Sequence, residues 1–576
     1  MTAQTLQSGA TPVDRWIRWF ALRPRLTLAL VVLAALGPFL TKPFNIDDPL
    51  FLWAARHIQT HPADPYGFDV NWYGVVDPMW QVAQNPPLTC YYLAVWAAVF
   101  GWSEPALHVA MLPAALAAVL GTYQLARRFC GRPMLAAAVT LFTPVFLVSS
   151  TTVMCDVMML AFWVWAVVLW VEGMERDDFW WLTGSGVLIA LAAFTKYFGA
   201  CLIPLLAAYS LIHQRRLGRW AGCILIPIVA LAAYQWATHA LYGNGLLSDA
   251  GNYAAATKKL YGISGVASCL TALAFTGGCL AMVIFFAPWL WRSWTWAGFA
   301  AGVILIASAI FVEGTMLKRY DMLNGPSRVL VEVQIIFWAI GGVSVLGLAV
   351  ADVWRQRDAW SCLLALWVFG PFLFVVFCNW IVNGRSLLPM APAVGILLAR
   401  RLEQGSRTGK KIRPGDMRVC LAAGAVLALL VTRADFRLAI SVRQSAEQTC
   451  ARFGQGPTKL WFDGHWGFQY YMEKLGSKAV VAGQSQLGEG DILAIPLNNT
   501  NTKTPDPNHA HPWKAFLFQG PRGMTTTSAQ MGAGFHASFF GPLPFAFGRV
   551  PPESVLVYVI EPTHKALTGN VQPEKN

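Results

Sequence analysis

Charge is scarce in this chain: Asp, Glu, Lys and Arg make up 13 % of its 576 residues, against 56 % that are hydrophobic. An acid beside an apolar run therefore needs a reason to be there. Cysteine is also sparse and unpatterned. The 11 cysteines lie mostly in apolar runs, only Cys450 falls beyond residue 435, and no Cys-x-x-Cys pair suggests a zinc or redox site. No Gly-rich phosphate motif follows a predicted strand, so nothing points to a bound nucleotide. No internal repeat relates the two halves, as it would in many secondary transporters.

What the chain has is apolar length. Roughly a dozen runs before residue 435 approach the ~20 residues needed to cross a bilayer. Tryptophans such as Trp180, Trp181, Trp289, Trp291 and Trp294 crowd their ends, where amphipathic rings favour the headgroup layer. The first run lacks a small-residue cleavage site and is expected to remain as an uncleaved helix. The net charge of +13 then marks cytoplasmic loops and contact with membrane lipids rather than nucleic acid.

Basic loops alternate with nearly uncharged or acidic ones. Placing Arg127, Arg128, Arg215, Arg216, Arg292, Arg355, Arg400 and Arg401 inside requires about thirteen helices between residues 26 and 434. The N-terminus is then inside and everything after residue 435 outside. The apolar stretch 88–101 is too short to span and is expected to lie on the outer surface or re-enter. The expected architecture is a polytopic α-helical membrane domain, 1–434, and a soluble extracytoplasmic α/β domain, 435–576. A folded outer loop, about 42–105, carries a short helix that begins just after Asp47 and Asp48. In the tail, strands are expected near 459–462, 478–482, 491–495 and 554–560, with a helix over 466–475. His465, His509 and His511 read as surface or loop histidines.

This topology gathers Asp47, Asp48, Asp156, Lys196 and Arg385 at the outer face, although they are far apart in sequence. Each alone could simply face water or, for the paired aspartates, cap a helix. Five ionisable groups collected at one face of an apolar protein favour a site instead.

The residues that carry them resemble a family. Asp47-Asp48 with Phe51, Asn85-Pro86-Pro87-Leu88 leading to Tyr91-Tyr92, Met154-Cys155-Asp156, Thr195-Lys196-Tyr197 and Arg385-Ser386-Leu387-Leu388-Pro389 together resemble the polyprenyl-phosphate-dependent GT-C glycosyltransferases. The nearest branch is that of the protein mannosyltransferases and lipid A aminoarabinose transferases. The family pattern has Asp-Glu where this chain has Asp47-Asp48, and usually Tyr where it has Phe51.

The resemblance implies a plasma-membrane glycosyltransferase that moves a sugar from a polyprenyl-phosphate donor to a lipid, glycan or protein acceptor outside the membrane, with inversion. It implies Asp47, with Asp48 and Asp156, as the catalytic carboxylates. It allows one cofactor, a divalent metal cation held by Asp47 and Asp156. The chemistry asks for a carboxylate to take the acceptor's proton and for cations on the leaving phosphate. Lys196 and Arg385 are first in line for the phosphate, with Lys318, Arg319 and Arg328 in reserve. A membrane oligosaccharide ligase or polymerase and a secondary transporter are the competing readings.

Overall fold

A computed structural model of the chain describes residues 22–261, 265–313, 326–407, 411–454, 459–507 and 509–561. Lys318 and Arg319 lie outside them. The chain is a multi-pass membrane protein: eight described helices, from Glu104–Phe129 to Pro414–Phe453, are long and apolar enough to span, or up to ten if each of two bent pairs counts as one span. The expected count of about thirteen is not reached by that criterion, and local breaks account for part of the difference. The run at 134–151 divides at Thr143-Pro144, where the Thr143 hydroxyl caps a new helix, Pro144–Ser150, inclined by 61° to Pro133–Leu141. The run at 266–290 divides into Gly265–Cys279, Met282–Phe285 and Ala287–Leu290. Pro24–Phe39 and Phe179–Thr195 are apolar but shorter.

Small residues bring the helices together. A Cβ on Gly277 would lie 1.8 Å from the Trp338 carbonyl oxygen, so Gly265–Cys279 can approach Pro326–Gln356 this closely only with glycine there. Polar atoms in the interior are paired locally: Trp170 Nε1 donates to Ser210 Oγ at 2.8 Å, and Ser185 Oγ donates to the Ala166 carbonyl at 2.7 Å.

The loop between the first two long helices is folded. Helix Asp48–Thr60 packs on Leu88–Phe100, whose 13 residues reach only about 20 Å at 1.5 Å per residue. A hairpin, Asp69–Asn71 with Val76–Pro78, closes the loop.

In the tail, a five-stranded sheet runs in the order Lys478–Ala479, Leu460–Phe462, Ile492–Pro496, Glu553–Ile560, Ala510–Phe518, with parallel pairs at one end and antiparallel pairs at the other. Four of these strands and helix Trp466–Lys474 lie where the apolar runs place them. The fifth, Ala510–Phe518, is an exposed edge strand with Pro512 and Lys514, so it carries no alternating pattern. His465 is buried rather than at the surface, whereas His509 and His511 are exposed beside Asp506 and Glu561.

Membrane and sheet regions are joined by one helix. Pro414–Phe453 is 40 residues long, about 60 Å, roughly twice the hydrocarbon thickness. The expected boundary at 434/435 falls inside it. Beyond the sheet's edge strand, residues 524–547 fold back onto the membrane helices: Gly384 N donates to Phe535 O at 2.8 Å, Ser538 N to Val382 O at 2.8 Å, and Phe547 N to Gln334 Oε1 at 2.7 Å. A Cβ on Gly541 would lie 1.9 Å from the Gly532 carbonyl carbon, so this tight fold requires glycine there.

Candidate active site

Four of the five ionisable residues singled out in the sequence meet around one guanidinium. Arg385 Nη2 donates to Asp47 Oδ2 at 2.8 Å, and its Nη1 lies 3.8 Å from Asp156 Oδ2. Lys196 Nζ donates to Asp156 Oδ1 at 2.6 Å. Asp47, Lys196 and Arg385 all line a cavity of about 510 Å³, together with Tyr66, Tyr197 and His536.

Local structure places each group. Asp47 occupies the residue before helix Asp48–Thr60, after Ile46 at a positive φ of 53°, and Pro49 fixes the first turn. Its carboxylate makes no capping bond. It turns to Arg385 instead, with 30 % of the side chain exposed. Asp156 opens helix Asp156–Arg176, where the dipole favours a carboxylate, and is 1 % exposed. Lys196 ends helix Phe179–Thr195, and Arg385 begins a short 3₁₀ turn whose backbone is held by the returning segment at Phe535.

Asp48 is the exception. It is fully buried and does not line the cavity. Its Oδ2 accepts from Asn45 N at 3.0 Å and its Oδ1 from Val153 N at 3.0 Å, tying the start of the loop at 42–105 to the turn before Asp156. Burial pushes its carboxyl up to about 7, against the opposing pull of Lys42 and those two backbone donors. Its geometry is that of a structural clamp. The reserve cation Arg328 bonds Glu332 at 3.1 Å and is not part of the cavity lining.

The arrangement does not fit a metal held by Asp47 and Asp156. The Arg385 guanidinium already stands between the two carboxylates, and Lys196 holds the second oxygen of Asp156. Among the described residues no group of three or more His, Cys, Asp or Glu side chains is placed to bind a metal ion.

His536, which the sequence did not single out, reaches the cavity from the returning segment. Its Nε2 lies 3.3 Å from Asp435 Oδ1, and its Nδ1 is buried without a hydrogen-bond partner among the described residues. Burial holds its imidazole below the usual range. Asp435 also accepts from Thr526 Oγ1 at 2.8 Å and pairs with Lys42, so one buried carboxylate joins the loop, the long helix and the tail. The signal for His536 was weak, a single histidine in a Gly- and Phe-rich stretch without periodicity.

Residues 84–241 match the protein family described as dolichyl-phosphate-mannose-protein mannosyltransferase, which is the class of glycosyltransferase that the motifs resemble. The matched segment contains Asn85-Pro86-Pro87, Asp156 and Lys196, and leaves Asp47 and Arg385 outside.

Among solved structures, the chain is similar to the archaeal oligosaccharyltransferase AglB from Archaeoglobus fulgidus, solved with an inhibitory peptide and a dolichol-phosphate (12 % identity, 83 % of this chain and 70 % of that one, TM-score 0.48). It is also similar to ArnT from Cupriavidus metallidurans bound to undecaprenyl phosphate (14 % identity, 83 % and 93 %, TM-score 0.41), and to the arabinofuranosyltransferase AftD from Mycobacteria (11 % identity, 95 % and 40 %, TM-score 0.39). These likenesses assign no role to any residue. No curated protein sequence gives a significant match.

Proposed function

We propose that the chain is an integral membrane glycosyltransferase that moves a sugar from a polyprenyl-phosphate donor to a hydroxyl or amine of a lipid, glycan or protein at the extracytoplasmic face, with inversion. The observation that carries this reading is the cavity itself, where a half-buried carboxylate, Asp47, faces two cations, Lys196 and Arg385.

In the reaction, the acceptor oxygen or nitrogen attacks the anomeric carbon while its proton passes to Asp47, and the bond from that carbon to the donor phosphate breaks. The electron pair leaves on the polyprenyl phosphate. Asp47 suits the proton because it borders the cavity with its carboxylate partly exposed. Lys196 and Arg385 suit the phosphate because both keep donors to spare. Lys196 has three N–H groups and uses one on Asp156, and Arg385 Nε has no hydrogen-bond partner among the described residues. Asp156, held between both cations, orients them. Tyr66, whose hydroxyl donates to Asn85 O at 2.8 Å, fixes the loop wall of the cavity.

The test is donor dependence. Lys196→Gln is expected to lower kcat/KM for a polyprenyl-phosphate sugar by about 10²-fold, the usual cost of removing one donor to a developing anion, while KM for the acceptor stays unchanged. Melting is followed in parallel. Unchanged donor kinetics in a folded Lys196→Gln protein would take the phosphate away from this cation pair.

A further inference from the structure

A second, larger cavity of about 1200 Å³ shares no lining residue with the site. Its lining includes Trp289, Trp291, Trp294 and Trp354 together with Arg292, Arg355 and Arg401. Helix Pro326–Gln356 measures its distance from the sheet region. Gln334, on that helix, exchanges hydrogen bonds with the backbone of Phe547 in the returning segment. From Gln334 to Arg355 is about 30 Å along a helix rising 1.5 Å per residue, which matches the hydrocarbon thickness of a bilayer. The cavity therefore opens at the membrane face opposite the sheet.

Arg401 is the unusual group in it. Its Nε and Nη2 both donate to the Leu290 carbonyl, at 3.0 and 2.9 Å, and its guanidinium lies 5.0 Å over the Trp291 ring. Its Nη1 is buried without a hydrogen-bond partner, and no carboxylate pairs with it among the described residues. The acids in this region are otherwise engaged: Asp352 and Asp358 lie 3.3 and 3.8 Å from Arg400. Among the described residues Arg355 hydrogen-bonds the neutral Gln404 side chain, at 3.4 Å. Neither Arg401 nor Arg355 makes an ion pair among the described residues, the nearest acid, Asp352, being paired with Arg400, and leaving a partly buried cation such as Arg401 incompletely compensated beside an apolar, tryptophan-lined space is costly.

We propose that this cavity is a binding site for an anionic phospholipid, with its phosphate against Arg401 and Arg355 and its acyl chains along the tryptophans and Phe299. An apolar lining at a membrane face suits a lipid rather than a free anion, and aromatic rings beside arginine are the natural surroundings of a headgroup. No residue lines both cavities, so the site is separate from the cavity assigned to the sugar donor.

The experiment measures binding to the purified full chain in neutral detergent by native mass spectrometry, and its melting, with phosphatidylglycerol, phosphatidylcholine, polyprenyl phosphate and inorganic phosphate as separate probes. Phosphatidylglycerol is expected to bind and raise the melting temperature, with phosphatidylcholine and inorganic phosphate giving neither effect. Arg401→Gln should weaken phosphatidylglycerol binding at least 10-fold while leaving sugar transfer intact. Because Arg401 also braces Leu290, Arg355→Gln serves as the second variant and should weaken the same binding. Equal effects of phosphatidylglycerol and phosphatidylcholine, an equal effect of inorganic phosphate, a preference for polyprenyl phosphate that Arg401→Gln abolishes, or undiminished phosphatidylglycerol binding in both variants would each overturn the proposal.

Discussion

Asp47→Asn is expected to lower sugar transfer by roughly 10²- to 10⁴-fold, the range for loss of a general base, with little change in melting. The structure separates these two effects. Asparagine keeps the size of the side chain and an oxygen that can accept from Arg385, so the 2.8 Å contact has a neutral replacement. The native carboxylate makes no helix-capping bond and is partly exposed, so folding does not depend on it. What the variant lacks is the ability to take a proton from the acceptor. Steady-state transfer assays on wild type and variant, with melting curves on the same preparations, check both halves. Wild-type transfer by Asp47→Asn would mean that another group accepts the proton, with His536 the first to examine, because its unpartnered Nδ1 lies at the same cavity.

The second large effect is on stability, and it comes from Asp435→Ala. Lys42 and Asp435 are 2 % and 3 % exposed and pair with each other. Removing the carboxylate leaves a buried ammonium whose nearest remaining partner is the Thr151 hydroxyl at 3.4 Å. It also releases Thr526 and His536, which anchor the returning segment. Breaking a buried pair on one side typically costs about 3–5 kcal/mol, and a loss of that size is expected in the unfolding of the purified protein. Replacing both partners, as Lys42→Met with Asp435→Leu, should recover most of it, since a buried pair exchanged for apolar groups is often neutral. A loss below about 1 kcal/mol for Asp435→Ala, the range of a surface pair, would contradict this view of the junction.

Much of the site was legible because charge is so scarce. Asp47, Asp156, Lys196 and Arg385 stand out as ionisable groups at the ends of apolar runs, and the structure brings these four together. Asp48 could not be told from Asp47 by that argument. Neighbouring residues at a helix start point about 100° apart, so one faces the cavity and the other the protein interior.

Lys42 and Asp435 were hidden for a different reason. Lys42 looks like an ordinary basic flank, and Asp435 lies between Arg433 and Arg437 like part of a solvated turn. One clue was present: after Gly424 no glycine or proline interrupts the chain until Gly454, so nothing ends the helix at the membrane face. The returning segment left no periodic trace because its strands are only two residues long and depend on glycines for tight packing. The expected helix count is not matched by continuous helices where Thr143-Pro144 and the breaks after Cys279 divide runs that are continuous in apolarity.

The central claim is that this cavity transfers sugar from a lipid phosphate, and it is tested most directly by reconstituting the full chain in liposomes with a panel of polyprenyl-phosphate sugars and a cell-envelope acceptor extract. The account predicts transfer from at least one donor, with one polyprenyl phosphate released per sugar moved and both products lost in Asp47→Asn. A folded wild-type protein that neither transfers nor releases sugar from any member of the panel, or that moves a solute across the liposome membrane instead, would contradict it.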